Sequence, residues 1–551
     1  MEDNISSGTD TTYRRSGTFS ADLEPLRFNA RGRVLINDVT NFDREQFERY
    51  LVRPAYVKVL QRGSDSDSHP FSRLFLAQEM KLHPVAITVS GFSPDGKFFC
   101  TGGKDGSIKV LKVLESTSEK LSLSDLECEL TGQRQIQYAP LFNELDILEL
   151  SVSGSQSEVL DVSWSKNNFL LSSSMDRAVK LWAPLNSDSP VMEFLHPDFV
   201  TSAKFIDLDD RFFVSGCLDH HVRLWSITEN KIQSQYDCGD PITVISLSPR
   251  GGGLTVVGTF TGYIYVLSTP ALKLIHRFHV KAIASAFDGS EDHDSIQITG
   301  IDWVTEDEDR DQRVEDNCYS VSRVVVTCSD ARIRLFKLSE RARHVELHGF
   351  RIEHYRHRAH LFTWNHKPFI YCSSEDQWLY VWRLDPHELG FSNSHSHSQS
   401  VAVAVGADTH SKKKRHFSRP HSLSFHAHDH PLTTVSIAPR TTLKMVSQSN
   451  DFIYEFTTRC HFSRSGYYIA VDDTDADADV DGKDVDGEDG EDVALQEEEQ
   501  LLPPDDIIGP ILVTTDSSGS LRVFRIDLHD TTRDTLLHVF HTAINTGTPT
   551  L

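Results

Sequence analysis

Histidine, serine and aspartate recur at short intervals along this 551-residue chain, and together they are the residue types of nucleophilic hydrolysis. The motifs that would place them for catalysis do not occur. There is no GxSxG elbow, no HExxH helix and no phosphate-binding glycine loop. The glycine-rich stretches Gly102-Gly103 and Gly251 to Gly253 sit in expected hairpin turns rather than between a strand and a helix. A second pattern, Asp477, Asp479, Asp481, Gly482 and Glu488, has the spacing of an EF-hand calcium loop. Such a loop wants an apolar residue in its second half, where this chain has Asp484, and amphipathic helices on both sides, which VDDTDA and EDVALQEEEQLLPP do not provide. The pattern reads as an accident of an acidic segment, and no metal or cofactor is expected.

That segment, 472–506, carries seventeen Asp and Glu against Lys483, so −16 of the net charge of −25 is concentrated there. It is expected to be a solvated, disordered loop. Acidity of this kind excludes nucleic acid as a partner, because phosphate binding needs concentrated positive charge. A counterpart at 392–430 holds eight histidines, among them His426, His428 and His430, and the run Lys412 to Arg415. Three readings fit it: a flexible polar loop, a nuclear-import or anionic-lipid patch, and a metal-binding or pH-sensing tract. The first explains most with least.

The start of the chain is polar and lacks an apolar h-region, and no apolar run nears the ~18 residues of a spanning helix. The eight cysteines form no CxxC pair. Cys100, Cys217, Cys328 and Cys372 end strand-like segments and read as small buried hydrophobes, consistent with a soluble intracellular protein with reduced thiols. Residues 1–70 are expected to be mostly disordered, apart from a short helix in DREQFERYL at 43–51.

The elements that would position the recurring residues come from an internal repeat. A β-rich run, a small polar step, an Asp and an alternating apolar strand ending in an aromatic or Leu recur seven times. The copies are CTGGKDGSIKVL (100–111), LSSSMDRAVKLW (171–182), VSGCLDHHVRLW (214–225), VVGTFTGYIYVL (256–267), VTCSDARIRLF (326–336), CSSEDQWLYVW (372–382) and VTTDSSGSLRVF (513–524). Asp105, Asp176, Asp219, Asp330 and Asp376 each precede the strand end by six residues, at Leu111, Trp182, Trp225, Phe336 and Trp382. Thr261 and Ser518 take the Asp place before Leu267 and Phe524, so the fourth and seventh units should be the least typical. A short carboxylate at such a turn accepts nearby backbone N–H groups. Seven repeats of hairpin-forming strands predict an all-β, seven-bladed propeller over 71–545. Four stretches, 114–156, 304–322, 385–427 and 472–506, read as disordered insertions, and setting them aside leaves about 44 residues per copy, near the ~40–45 of a blade. The ring must close, and RLFLAQEMKL (73–82) is preferred over LLHVFHT (536–542) as the outer strand of the last blade.

The runs EVLDVSWSKNNFLLSSSMDRAVKLW (158–182) and HPDFVTSAKFIDLDDRFFVSGCLDHHVRLWSI (196–227) closely resemble repeats of the WD40-repeat family, and within it of the WD repeat-containing protein 44 (rabphilin-11-like) group. GFSPDGKFFCTGGKDGSIKV (91–110), VVVTCSDARIRLF and ILVTTDSSGSLRVF carry the same likeness, which extends over roughly 71–526. The resemblance implies a buried structural tetrad of His, Ser or Thr, Asp and Trp. His196, Asp219 and Trp225 fit it, with Ser215 as link; His83 and Asp105 fit in part. It further implies a non-catalytic scaffold for other proteins in vesicle trafficking, Rab-effector-like, cytoplasmic or endosome-associated, with partners that include a Rab GTPase and with peripheral membrane association. The alternative is a subunit of a nuclear chromatin or RNA-processing complex.

Overall fold

Each repeat supplies one β-hairpin, and its neighbours in sequence supply the strands on either side. The computed structural model describes residues 54–62, 70–114, 140–151, 157–207, 209–249, 253–281, 296–304, 322–339, 342–364, 367–384, 422–448 and 509–527. Two strands, β1 (Val59–Arg62) and β2 (Leu74–Lys81), precede the first blade. Blade 1 is β3 (Ile87–Phe92), β4 (Phe98–Gly103), β5 (Ser107–Val113) and β6 (Phe142–Ser151). Blade 2 is β7 (Val159–Trp164), β8 (Leu170–Ser174), β9 (Ala178–Trp182) and β10 (Met192–Leu195). Blade 3 is β11 (Val200–Ile206), β12 (Asp209–Cys217), β13 (His221–Ser226) and β14 (Lys231–Asp237). Blade 4 is β15 (Ile242–Leu247), β16 (Leu254–Thr259), β17 (Tyr263–Ser268) and β18 (Lys273–His279). Blade 5 is β19 (Ile298–Trp303), β20 (Arg323–Cys328), β21 (Arg332–Lys337) and β22 (Ala342–His348). Blade 6 is β23 (His360–Trp364), β24 (Lys367–Ser373), β25 (Trp378–Arg383) and β26 (Ser422–His426), with β1 added outside β26. Blade 7 is β27 (Leu432–Ile437), β28 (Leu512–Asp516), β29 (Ser520–Ile526) and β2. One short helix, α1 (Arg440–Gln448), follows β27.

The all-β, seven-bladed propeller expected from the repeat is the fold. Its closing strand is the N-terminal candidate: β2 pairs antiparallel with β29 from Leu74 opposite Ile526 to Lys81 opposite Ser520. The rival, 536–542, lies outside the described residues, as do the EF-hand-like pattern, the run Lys412 to Arg415, and the segment 43–51. Three boundaries change. The stretch 114–156 contains β6, the outer strand of blade 1; 385–427 ends in β26; and 1–70 contains β1. β6 and β1 are poor in sequence signal because their free side faces water, so β6 reads ELDILEL rather than as a uniform apolar run. Among the described residues no helix is long and apolar enough to cross a membrane.

The core lies between blades rather than within them. Trp182 of blade 2 packs with Val89, Phe98 and Val110 of blade 1. Trp225 packs with Leu171, Val179 and Phe194 of blade 2, and Phe336 with Val256 and Phe278 of blade 4. Trp382 joins Val325 and Leu335, and Phe524 joins Phe369 and Phe425, in the same way. The aromatic or Leu that ends each repeat is thus the plug that one blade inserts into the face of the blade before it, and burying an aromatic of that size contributes on the order of 2–3 kcal/mol. Cys100, Cys217, Cys328 and Cys372 are buried, free thiols as expected, and burial pushes the Cys100 thiol up to about 12.

A second device joins the blades. In six inner strands the pairing slips by one residue near the strand start. At four of these bulges a Thr hydroxyl stands between two carbonyls. Thr88 Oγ1 donates to Gly102 O of its own blade (3.1 Å) and lies 2.6 Å from Val159 O of the next. Thr201, Thr243 and Thr299 repeat the arrangement toward Ile242 O (2.8 Å), Ile298 O (2.6 Å) and His357 O (2.8 Å). Close beside these stitches sit Gly102, Gly216 and Gly258. A Cβ on Gly258 would lie 2.6 Å from Ile298 Cγ2, so only the absence of a side chain lets adjacent blades approach this closely.

Candidate functional site

The β4–β5 turn and its equivalents project at one end of the ring, and the recurring His and Asp residues gather there. In blade 1, His83 Nδ1 lies 3.1 Å from Asp105 Oδ2 and its Nε2 lies 2.9 Å from Thr101 Oγ1. Ser107 N–H donates to Asp105 Oδ1 at 3.0 Å. Burial lowers the His83 pKa, against the opposing pull of Asp105. Each partner of this array is engaged with another, which leaves no hydroxyl or imidazole poised for a substrate.

Blade 3 departs from the expected tetrad. His196 Nε2 accepts Ser215 Oγ as partner at 2.8 Å, and Trp225 Nε1–H donates to the same hydroxyl at 3.0 Å. Asp219, however, does not bind His196, whose Nδ1 instead faces Phe194 O at 2.9 Å. A bidentate guanidinium from Arg223, four residues on, occupies the carboxylate, with Nη1 at 3.0 Å. The ionic partner outcompetes a neutral ring. Burial holds the His196 pKa down to about 4, and hydrogen bonds from Arg223 and from neighbouring groups, prevailing over a desolvation that opposes them, hold Asp219 down to about 2.

The fourth-residue cation recurs. Lys180 pairs with Asp176 and Arg334 with Asp330, while Tyr380 O–H donates to Asp376 at 2.7 Å. Trp182 Nε1–H reaches Ser172 Oγ at 2.8 Å, as Trp225 reaches Ser215. Trp182 and Phe336 are fully buried, and Trp382 and Phe524 nearly so. The turn residue following the key position takes a positive φ in all seven hairpins: Gly106, Arg177, His220, Gly262, Ala331, Gln377 and Gly519.

The fourth and seventh units, expected to be the least typical, each bring a carboxylate to the turn from a position other than that of the repeat's Asp. In blade 7 the acid is Asp516, two residues before Ser518. His428 Nδ1 lies 3.1 Å from Asp516 Oδ2 and its Nε2 lies 2.8 Å from Thr514 Oγ1, which reproduces the blade 1 array. Hydrogen bonds from His428, Ser518 and Ser520 outweigh burial and hold Asp516 down to about 2. In blade 4 the acid is Asp240, on the preceding loop, which accepts the Thr261 N–H at 3.1 Å and the Thr261 hydroxyl. His428 therefore leaves the polar-loop tract and joins the core.

The central channel at this end holds charges that the repeat pattern does not reveal. Asp161 on β7 is fully buried. It accepts Ser202 Oγ–H at 2.6 Å, Lys204 Nζ at 3.0 Å and Arg358 Nη1 at 2.8 Å. Burial opposes its ionisation, but the flanking Arg358 and Lys204 overcome it and hold Asp161 down to about 2. Arg358 belongs to the segment before β23, so this contact runs from blade 6 to blade 2. The lone Asp in the apolar run VLDVSW was the available signal.

The same segment carries Glu353 and His354, which with Glu375 present one ligand atom each within 4.8 Å of one another. Those carboxylates are already occupied. Glu375 Oε1 accepts the backbone N–H groups of Glu353, His354 and Tyr355 at 2.6, 2.6 and 2.9 Å, and Arg351 Nε donates to Glu353 at 2.6 Å. Their arrangement anchors the segment across the end of the ring and is a poor metal cage.

Comparison with known proteins agrees with this architecture. The WD domain, G-beta repeat family matches residues 76–111, 147–183 and 189–226. The 2-deoxy-glucose resistant protein 2 of Saccharomyces cerevisiae is 30% identical over 98% of this chain and 73% of its own length. An uncharacterised WD repeat-containing protein of Schizosaccharomyces pombe is 31% identical over 48% of this chain and 42% of its own. WD repeat-containing protein 44 of Xenopus laevis is 26% identical over 57% of this chain and 35% of its own length.

Proposed function

The chain belongs to the WD40-repeat family, and from that footing we propose that it is a non-catalytic scaffold that holds other proteins together in vesicle trafficking, in the manner of a Rab effector. One observation carries the scaffold reading. The His, Ser, Thr and Asp residues that look like catalytic machinery are spent on one another and on backbone groups at the turns, as at His83, Thr101 and Asp105. What remains for function is surface, and a rigid ring is a suitable frame for surface loops.

The trafficking assignment is supported by the likeness of 158–182 and 196–227 to the WD repeat-containing protein 44 group, together with the Xenopus relative. On this reading the protein is cytoplasmic and associates with endosomal membranes through its partners, a Rab GTPase among them. Proximity labelling of the tagged full chain in its native cell tests the proposal. A set of neighbours rich in Rab proteins and endosomal coats is expected. A set rich in chromatin or RNA-processing factors, with nuclear accumulation that disappears when Lys412 to Arg415 are changed, would replace it with the nuclear reading.

A further inference from the structure

The segment from Phe350 to Ala359 crosses from β22 to β23 at the end of the ring that bears the Asp turns. Its course is fixed by the Glu375 carboxylate, and its Tyr355 ring lies under Lys104 Nζ of blade 1, 4.9 Å from the centroid. The segment thereby delivers two guanidinium groups, Arg356 and Arg358, to the channel entrance. Arg358 is satisfied by Asp161. Arg356 is not: its Nη1 is sealed from solvent and has no hydrogen-bond partner, and the side chain forms no ion pair among the described residues.

Leaving a charged donor in that condition costs about 1–3 kcal/mol or more, and folded proteins rarely tolerate it without a reason. The surrounding charges do not supply one. Arg356 is within electrostatic reach of Arg358, which repels it, and of Glu158 and Asp161, neither of which contacts it. Asp161 already receives Ser202, Lys204 and Arg358. Burial and the neighbouring Arg358 lower the Arg356 pKa, as expected of a cation short of counter-charge. Two guanidinium groups, Arg356 and Arg358, thus lie within electrostatic reach of each other beside Asp161, whose carboxylate is already saturated. A guanidinium with free N–H groups beside further positive charge is complementary to a planar or tetrahedral oxyanion.

We propose that the channel entrance at Arg356 binds a single oxyanion group, a phosphate or a carboxylate, held by the part of the Arg356 guanidinium that solvent reaches, the side chain being only partly buried. The group arrives either as a free anion or on a side chain of a partner peptide. This holds whether or not the ring serves as a trafficking scaffold.

The test uses the full chain at constant ionic strength. Thermal unfolding is followed as inorganic phosphate replaces chloride, and fluorescence anisotropy as a labelled phosphoserine peptide is titrated, with its unphosphorylated form alongside. Arg356→Gln is the test variant, and Arg356→Lys keeps the charge if the first folds poorly. Arg211→Gln, on the exposed hairpin side chain bound to Asp209, is the control. A saturable rise in melting temperature or anisotropy is expected for the native chain and for Arg211→Gln, weakened at least tenfold in Arg356→Gln and partly kept in Arg356→Lys. Saturation by inorganic phosphate alone assigns a free anion; saturation by the phosphopeptide at concentrations where inorganic phosphate is inert assigns a peptide. No saturable response in the native chain, or an equal response in Arg356→Gln, overturns the proposal.

Discussion

Asp516 stands two residues ahead of the position that Asp105 holds in the first repeat, yet the two carboxylates receive a buried imidazole in the same way. Counting six residues back from Phe524 leads to Ser518, so a rule based on spacing misses the acid that geometry selects. The physical requirement is a carboxylate at a place, and a tight turn offers that place to more than one backbone position. Asp516→Ala should therefore cost about 2 kcal/mol more than Ser518→Ala in urea unfolding, since it strands His428 as well as the turn N–H groups. His196 makes a pH-dependent prediction. Its folded pKa of about 4 lies below the ordinary 6.5, so the unfolded chain binds more protons between those values. The stability that His196 contributes is complete above pH 6.5 and is lost as pH falls toward 4, by up to about 3 kcal/mol. Replacing His196 by Gln should flatten the stability profile across that window when urea midpoints are compared from pH 7 to 4.5. An unchanged slope would remove His196 as its source.

At the scale of the element, the hairpins were legible because turn residues and alternating apolar residues announce them, and the closing strand because RLFLAQEMKL reads as a strand with no other partner. The outer strands β6 and β1 were not, since a strand with one wet face needs no regular apolar run. The Thr stitches also escaped notice, although their signal is simple: Ile87-Thr88, Val200-Thr201, Ile242-Thr243 and Ile298-Thr299 all open an inner strand. Their role becomes visible only when the next blade is in place to offer its carbonyl. Thr243→Val, which keeps the shape and removes the donor, should lose about 1–2 kcal/mol by chemical denaturation. Gly258→Ala should lose more, because Ile298 must move to admit a methyl group. The turns provide a change of opposite sign. His220 has φ +73° and an exposed side chain, so His220→Gly should raise stability by roughly 0.5–1 kcal/mol in the same assay. A loss there would mean that the imidazole contributes something beyond the turn.

For the molecule as a whole, seven inter-blade cores mean that no blade is stable by itself and that the circle is the cooperative unit. A chain begun at His83 lacks β2 and leaves β29 with an unpaired edge. Such a chain should lose the single sharp thermal transition of the full protein and show increased light scattering, since Leu521, Val523 and Phe524 would be partly uncovered. A truncation that retains a sharp transition would show that blade 7 can stand on three strands. The channel charges also belong to this scale. Asp161 and Arg358 are 197 positions apart and meet only because the ring brings blades 2 and 6 to a common axis. No local pattern could have paired them.

The same closure sets an order of events in time. Glu79 of β2 and its partner Arg522 of β29 are separated by 443 positions, so β2 is among the first strands to leave a ribosome and its place in the ring is among the last to be made. At about 5–20 residues per second, that interval is roughly 20–90 s. Throughout it β2 is an apolar strand with nothing to pair with, and contacts of such long range also close slowly. The strand that completes the last blade of the finished ring therefore makes the nascent chain depend on protection during synthesis.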